Sequence, residues 1–124
     1  MPSKTYSGDD RRSVILHPSV AEWLAAPTAL TATERRACLE ALAALEMMGP
    51  VLGRPLADRV KGSRFSNMKE LRPLGTHVRI LFAFDTERHA VVLVAGDKAG
   101  QWQRWYSVNV PLADARFEEH LRRL

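Results

Sequence analysis

Two predicted strands and the densest positive charge of this chain lie in one central stretch, which reads Val60-Lys61-Gly62-Ser63-Arg64-Phe65-Ser66-Asn67-Met68-Lys69-Glu70-Leu71-Arg72-Pro73 and continues as Val78-Arg79-Ile80-Leu81-Phe82-Ala83-Phe84-Asp85. From residue 54 to residue 79 there are seven basic and two acidic residues, a net charge of +5. The residues before this segment sum to −1 and those after it sum to zero. The whole surplus of +4 therefore sits in the middle of the chain. Such a concentration indicates a surface that meets a polyanion.

The hydrophobic pattern of the same region predicts an antiparallel meander of three strands. Over residues 78–85, apolar side chains at every second position point one way, and the side chains between them, beginning with Arg79, point the other. Further strands are predicted over residues 67–73 and 90–95. The last of these is apolar on both faces, which is typical of the central, most buried strand. Short turns at 74–77 and 86–89 make neighbouring strands antiparallel, and residues 96–100 end the sheet.

A long helix is predicted before the sheet. Thr31 and Glu34 have the spacing of a capping box, and residues 34–48 are rich in strong helix formers. Gly49 and Pro50 end the helix. An apolar stripe at helical spacing is expected to face the core, and it consists of Cys38, Leu42, Leu45 and Met48.

Shorter elements complete the predicted domain, which covers residues 13–124 after a polar, flexible tail over residues 1–12. A short β-type run over residues 13–17 leads into a helix at 19–24, opened by Pro18. Residues 51–59 are predicted to be irregular, with room for one helical turn at 56–60. After Pro111, residues 113–123 form an amphipathic C-terminal helix. The fold class is thus α+β, with an antiparallel sheet packed against the long N-terminal helix and a C-terminal helix.

Length and composition restrict the class of protein. A chain of 124 residues with 46% hydrophobic and 26% charged residues builds one domain with one core. No apolar run approaches the roughly 18 residues that a membrane helix needs, and the first residues lack the apolar segment of a secretory signal. The single cysteine, Cys38, excludes an internal disulfide. We therefore expect a cytoplasmic protein that makes no membrane contact.

The sequence motifs indicate neither a metal site nor a cofactor. Four histidines are scattered without metal-ligand spacing, and no phosphate-binding glycine loop or nucleophile elbow is present. What remains is a set of cations and aromatic side chains, namely Lys61, Arg64, Lys69, Arg72, Arg79, Lys98, Trp102, Arg104 and Tyr106.

Such a set suits the cleavage of RNA, because RNA carries its own nucleophile, the 2′-hydroxyl group. The protein then has to position that oxygen and to stabilise the negative charge of the transition state. A lysine crowded by arginines, or a tyrosine among cations, is expected to have a lowered pKa and is then a candidate for proton transfer. The structural alternative is that the basic side chains are merely solvated and that Trp102 and Trp105 pack against the core.

The order of several short motifs resembles the RelE/ParE toxin superfamily, and most closely its HigB-like, phage-derived branch. The resemblance covers roughly residues 13–121. Its motifs are, in order, Gly49-Pro50-Val51-Leu52-Gly53-Arg54-Pro55, Lys61-Gly62-Ser63-Arg64, Lys69-Glu70-Leu71-Arg72-Pro73, Val78-Arg79-Ile80-Leu81-Phe82, Gly96-Asp97-Lys98, Trp102 and Trp105-Tyr106. The resemblance implies a compact α+β toxin, without a cofactor, that cuts messenger RNA in the ribosomal A site and is held inactive by a helix-turn-helix antitoxin.

The resemblance also implies a site. Arg79 stands where such toxins have an arginine that contacts the scissile phosphate, and Lys98 and Tyr106 complete the catalytic set, although Tyr106 is equally placed to be a core aromatic. The RNA-binding residues are expected to be Lys61, Arg64, Lys69, Arg72, Trp102 and Arg104. The antitoxin is expected to cover the cleft around residues 61–79 or to hold the long helix away from the ribosome. Operator DNA is then reached only through the antitoxin.

Two other functions fit parts of the pattern. One is a non-enzymatic toxin of the ParE type that inhibits DNA gyrase, although the ring of basic residues argues against it. The other is a degenerate copy that binds nucleic acid or a partner without cleaving RNA.

Overall fold

The computed structural model describes residues 13–124, and its elements follow one another as a strand, two helices, four strands and a helix. They are β1 (Val14–Leu16), α1 (Pro18–Ala25), α2 (Ala32–Met48), β2 (Ala57–Arg59), β3 (Lys69–Leu71), β4 (Val78–Phe84), β5 (Ala90–Asp97) and α3 (Trp102–Arg122), with a short 3₁₀ turn at Gly49–Val51. The predicted flexible tail lies outside the described residues. Within them, no helix is both long and apolar enough to cross a membrane.

The five strands form one sheet in the order β1-β5-β4-β3-β2. Strands β3 to β5 pair antiparallel, as predicted. Strand β2, which was not predicted, pairs antiparallel with β3, whereas β1 pairs parallel with β5. The predicted antiparallel meander is therefore confirmed, and β1 adds a parallel pairing at one edge that was not predicted. Parallel strands need a long connection between them. Here α1 and α2 take the chain from β1 at one edge of the sheet to β2 at the other, and the chain returns to β5, the neighbour of β1, through β3 and β4. β5 lies inside the sheet as predicted, but β4 is the middle strand.

The two faces of the sheet carry two separate layers of core. Helices α1 and α2 cover one face through Val20, Cys38 and Leu45, which pack with the side chains of Val78, Ile80 and Phe82. Helix α3 covers the other face, where Trp105 and Phe117 pack with Leu81 and Ala83. The predicted alternation along β4 is thus confirmed. It places Arg79 on the side of α3, because odd-numbered residues of this strand face that helix.

Helix α2 begins as its sequence predicts. The backbone N–H of Glu34 donates to the Thr31 hydroxyl at 3.1 Å, and the Thr31 N–H donates to the Glu34 carboxylate at 2.9 Å. Cys38 and Leu45 are buried, but Met48 is 48% exposed. The apolar stripe was wrong at Met48, because the chain turns at Gly49 (φ 60°) and Leu52, beyond the turn, is buried in this layer instead.

Two segments that were predicted as irregular or turning are regular. Strand β2 occupies part of the region where a helical turn was expected, because its backbone pairs with β3 from Ala57 opposite Leu71 to Arg59 opposite Lys69. β5 continues through Gly96 to Asp97. A Cβ atom on Gly96 would lie 2.8 Å from Nε1 of Trp105. The absence of a side chain at Gly96 therefore allows α3 to approach the sheet closely.

Helix α3 starts eleven residues earlier than predicted, at Trp102, and runs through Pro111. Proline removes one helical hydrogen bond and is unfavourable inside a helix by about 3 kcal/mol. Here Pro111 is exposed, while Trp105, Val110 and Phe117 are buried on the sheet. Packing of this apolar face outweighs the local penalty of the proline. The sequence prediction considered only the periodicity after Pro111 and therefore missed the first half of the helix.

Candidate active site

A groove of about 660 Å³ opens between the β2–β3–β4 end of the sheet and the first turns of α3. Six basic and two acidic side chains line it, so its formal net charge is +4. Its lining residues are Arg54, Asp58, Arg59, Val60, Lys61, Glu70, Arg72, Arg79, Lys98, Trp102, Gln103 and Tyr106. The groove therefore combines concentrated positive charge with two aromatic side chains.

Strand pairing brings the central cations together. Arg79, near the start of β4, is opposite Gly96 of β5. One residue beyond β5, the backbone N–H of Lys98 donates to the carbonyl of His77 at 3.0 Å. This bond holds Lys98 beside the start of β4, so both side chains line the same groove.

A buried carboxylate lies at the centre of the groove. Glu70 is only 3% exposed. Its Oε2 accepts a hydrogen bond from Nε of Arg72 at 2.9 Å and lies 2.8 Å from Nη2 in the same ion pair, and its Oε1 accepts a hydrogen bond from the Tyr106 hydroxyl at 2.5 Å. Nε of Arg79 is 4.0 Å from the same Oε1. One carboxylate thus lies against side chains from the residue after β3, from β4 and from α3.

Arg79 is held firmly but is not fully paired. Its side chain is 15% exposed, and Nη1 donates to the carbonyl of Val78 at 2.8 Å. Nε is buried and has no hydrogen-bond partner within residues 13–124. Because its charge is largely withdrawn from water and only loosely balanced by Glu70, Arg79 adds to the positive potential of the groove.

The pKa shifts of the two proton-bearing candidates run in opposite directions. Burial, followed by the nearby Arg79 charge, lowers the pKa of Lys98, as the sequence led us to expect. Burial and the hydrogen bond to Glu70 raise the pKa of Tyr106 to about 12. The expectation of a lowered tyrosine pKa was wrong, because burial and the hydrogen bond to the Glu70 carboxylate outweigh the lowering effect of Arg79.

The aromatic residues divide between groove and core. Trp102 is 56% exposed, and its ring centroid lies 5.4 Å from Nζ of Lys98. Trp105 is buried in the α3 layer. Tyr106 does both, since its ring packs against Trp105 with centroids 5.2 Å apart while its hydroxyl reaches the groove.

Of the nine predicted site residues, three do not line the groove. Arg64 donates to Glu118 of α3 at 2.8 Å. Lys69 alternates with Glu70 along β3, so it points to the other face, where Nζ is 3.4 Å from the carbonyl of Pro50. Arg104 lies on the exposed side of α3. The other six, Lys61, Arg72, Arg79, Lys98, Trp102 and Tyr106, line the groove.

Comparison with known proteins identifies the family of the chain. The family model described as "Phage derived protein Gp49-like (DUF891)" matches residues 25–118, about three quarters of the chain. The chain belongs to the Gp49-like family. It is 52% identical over 109 residues to the protein named "Putative toxin HigB3" of Mycobacterium tuberculosis strain H37Rv, an alignment that covers 88% of this chain and 93% of that protein.

Two further comparisons agree with this family assignment. The Gp49-like chain is 55% identical over 84 residues to "Putative toxin HigB2" of the same organism, covering 65% of this chain but only 42% of that longer protein. The crystal structure of an archaeal RelE–RelB complex from Pyrococcus horikoshii OT3 contains a chain that superposes with a TM-score of 0.56 at 17% identity, over 73% of this chain and 98% of that one. This likeness establishes the RelE fold. The Gp49-like chain is accordingly a member of the RelE/HigB-like toxins of toxin-antitoxin systems.

Six lining residues of the Gp49-like groove were not predicted as site residues: Arg54, Asp58, Arg59, Val60, Glu70 and Gln103. Arg54 and Arg59 belong to the basic central segment, so the charge count already contained a signal for them. Glu70 had a weaker signal, an acid inside a predicted strand. Its contact with Tyr106, 36 residues away in the sequence, depends on how α3 lies on the sheet.

Proposed function

We propose that this toxin is a metal-independent endoribonuclease that cleaves messenger RNA on the ribosome. The observation that carries the proposal is that Arg79, Lys98 and Tyr106, from β4, the end of β5 and α3, line one groove with a net charge of +4. A groove of this charge suits the phosphodiester backbone of a single RNA strand.

The reaction uses the substrate's own hydroxyl group. O2′ of one nucleotide attacks the adjacent phosphorus, and the bond from phosphorus to O5′ of the next nucleotide breaks. The 2′-hydroxyl proton is released and O5′ gains a proton, so the products are a 2′,3′-cyclic phosphate and a 5′-hydroxyl. The protein has to hold O2′ in line with O5′ and to stabilise the additional charge on the phosphate oxygens.

The groups of the groove suit different parts of this reaction. The guanidinium of Arg79 stabilises the charge on the phosphate oxygens, since it is little solvated. The pKa of Lys98 is lowered by burial and by the charge of Arg79, and its amine in the neutral form accepts the proton that the attacking 2′-hydroxyl releases. Tyr106, with its pKa raised to about 12, stays protonated at neutral pH and serves as a hydrogen-bond donor. The exposed ring of Trp102 offers a nucleobase a stacking surface at the edge of the groove.

The proposal includes a partner. The solved structure with the same fold is a complex of RelE with RelB, and we propose that this toxin is likewise neutralised in the cytoplasm by an antitoxin, of the helix-turn-helix type. An antitoxin that covers the basic groove needs acidic residues there, because the groove carries an excess of four positive charges. Any contact with operator DNA is then made through the antitoxin.

The comparisons give no support to the gyrase-inhibiting alternative. The relatives at 52% and 55% identity are both named as HigB toxins. The second alternative, a degenerate copy that binds nucleic acid or a partner without cleaving RNA, differs from the proposal only in the outcome of the experiment below.

The test is growth arrest on induction of the toxin with the substitution Arg79→Ala. We expect the arrest to be relieved while the purified variant keeps its helical circular-dichroism signal and still binds the antitoxin. Arg122→Ala is the matched control, because Arg122 is 69% exposed in the last turn of α3, outside the groove, and it should remain toxic. Full toxicity of Arg79→Ala would show that the site is wrongly assigned.

A further inference from the structure

The two carboxylates of the groove differ in their surroundings. The side chain of Asp58 is 22% exposed and pairs with the 77% exposed Arg54 at 2.9 Å and, more loosely, with Arg72 at 3.5 Å. Glu70 is 3% exposed and contacts Arg72, Tyr106 and Arg79. A carboxylate withdrawn from water to this extent is stable only when donors replace its hydration. Glu70 has such donors on both oxygens.

We propose that Glu70 is the positioning residue of the groove, whose carboxylate fixes the relative placement of the Arg72 and Arg79 guanidinium groups and of the Tyr106 hydroxyl. This inference rests on the proposed ribonuclease function. It assigns a role to a residue that makes its contacts with the protein and not with the RNA.

The division of contacts between the two oxygens supports the assignment. Oε2 accepts a hydrogen bond from Nε of Arg72 and lies 2.8 Å from Nη2, and this ion pair orients that guanidinium group. Oε1 accepts a hydrogen bond from the Tyr106 hydroxyl and lies 4.0 Å from the buried Nε of Arg79, which has no hydrogen-bond partner among the described residues. The spacing of three groups from separate elements is therefore set by one rigid carboxylate.

The charges around Glu70 also support its role as the positioning residue. Arg72, Arg79 and Lys98 line one groove and repel one another. Glu70 is the buried negative charge among them, and it raises the pKa of Lys98 against the effects of burial and Arg79. If Glu70 were neutral, the cations would lose the carboxylate buried among them, Arg72 would keep only its looser ion pair with Asp58, and the pKa of Lys98 would fall further.

The test compares wild-type protein with Glu70→Gln, which keeps the size of the side chain but removes its charge and places an NH₂ group where one oxygen accepts donors. Cleavage of a defined message on programmed ribosomes is measured against pH. We expect kcat to fall by about 100-fold, the effect of misplacing groups by about 1 Å, with KM within about threefold of the wild-type value. The limb of the pH–rate profile that reports Lys98 should move to lower pH.

The matched control is Glu118→Gln, because Glu118 is also paired with an arginine, Arg64 at 2.8 Å, but lies outside the groove. It should leave kcat and the pH profile unchanged. A residue with only a structural role would not shift the pH profile. Unchanged kcat and pH profile in Glu70→Gln, with active wild-type protein, would overturn the proposal.

A readout that does not depend on activity separates this proposal from the proposed function. The chain has two tyrosines, so in a Tyr6→Phe background the ultraviolet titration follows Tyr106 alone. We expect its pKa, about 12 with Glu70 present, to fall in Glu70→Gln. No change in this titration would overturn the proposal even if no RNA were cleaved, whereas wild-type protein that cleaves no RNA would contradict the proposed function alone.

If Glu70→Gln does not fold, Glu70→Asp replaces it. This variant keeps the charge but withdraws the carboxylate by one methylene group, so its contacts with Arg72 and Tyr106 cannot both persist. We expect kcat to fall by about 10-fold without a shift of the pH profile. An unchanged kcat would overturn the proposal.

Discussion

Three acidic side chains, Glu70, Asp85 and Asp114, are buried within the described residues, and each joins α3 to another part of the molecule. Asp114 accepts hydrogen bonds from the Ser63 hydroxyl at 2.5 Å and the Arg64 N–H at 2.9 Å, which holds the loop after β2. Glu70 holds the first turns of α3 through Tyr106. Buried carboxylates with complete sets of donors are thus the means by which single residues fix the position of this helix.

Asp85 has the same role at the far end of α3. Its Oδ2 accepts hydrogen bonds from His89 at 3.0 Å and from His120 at 2.8 Å, and Oδ1 accepts from the backbone N–H groups of Glu87 and His89. Burial alone would raise the pKa of Asp85, but these hydrogen bonds outweigh it and lower the pKa to about 2.

This shift predicts a loss of stability in acid. The unfolded carboxyl group titrates near 3.8 and the folded one near 2, so protons bind the unfolded chain first as the pH falls. The contribution of Asp85, about 2 kcal/mol of unfolding free energy, is complete above about pH 5 and disappears as the pH falls through 2. Asp85→Asn should therefore be less stable than wild-type protein by about 2 kcal/mol at pH 7 and by less at pH 3, as measured by urea unfolding.

The control for this prediction is Glu119→Gln. Glu119 is 59% exposed in its ion pair with Arg123, and such surface pairs contribute little to stability. Equal stabilities of Asp85→Asn and Glu119→Gln at pH 7 would contradict the assignment.

Among the elements, α3 and β5 form the contact on which the groove depends. Trp105 is 7% exposed, and its Nε1 lies 2.8 Å from the position that a Cβ atom on Gly96 would take. The first turn of α3, which carries Trp102 and Tyr106 into the groove, can take this position only because residue 96 has no side chain.

Gly96→Ala should consequently displace the first turn of α3. We expect a loss of about 1–3 kcal/mol in unfolding free energy, the range for an added methyl group in a packed core, together with reduced RNA cleavage, because Trp102 and Tyr106 move with the helix. Thermal unfolding and the cleavage assay measure the two effects. Gly53→Ala is the control, since a Cβ there meets no atom closer than 4.0 Å. Equal stability and equal cleavage activity of Gly96→Ala and Gly53→Ala would show that the close approach of Trp105 to Gly96 does not determine the position of α3.

The elements that could be predicted from the sequence are those with local determinants. The capping box of Thr31 and Glu34 and the alternation along β4 are both complete within a few residues. β1 and β2 are only three residues long and depend on pairing with β5 and β3, which are distant in the sequence. The start of α3 was hidden by Pro111, whose local effect is outweighed by burial of the face that carries Trp105.

The candidate site was predictable to a similar extent. Arg79 and Lys98 follow from strand alternation and from the end of β5, and they line the same groove. Lys69, which was predicted to bind RNA, does not line the groove, because alternation along β3 puts Glu70, not Lys69, on the side of α3. The role we infer for Glu70 depends on a helix whose start was not predicted.

For the whole molecule, the charge count located the basic region but not its final shape. Residues 54–79 carry the net charge of +5, yet Arg64 and Lys69 from this segment point away from the groove. Lys98, from outside it, completes the set. Five cations of the central segment and Lys98 therefore line the groove together with two carboxylates, which gives the groove a net charge of +4. The central claim is that this groove directs the 2′-hydroxyl of RNA onto its own phosphodiester.

The most direct test is the chemistry of the RNA ends that appear when the toxin is induced. Attack by O2′ leaves a 5′-hydroxyl on the downstream fragment, so new 5′ ends in translated messages should become ligatable only after treatment with a polynucleotide kinase. We predict such ends with wild-type protein and their absence with Arg79→Ala. New ends that carry a 5′-phosphate, or 5′-hydroxyl ends that persist in Arg79→Ala, would contradict the claim.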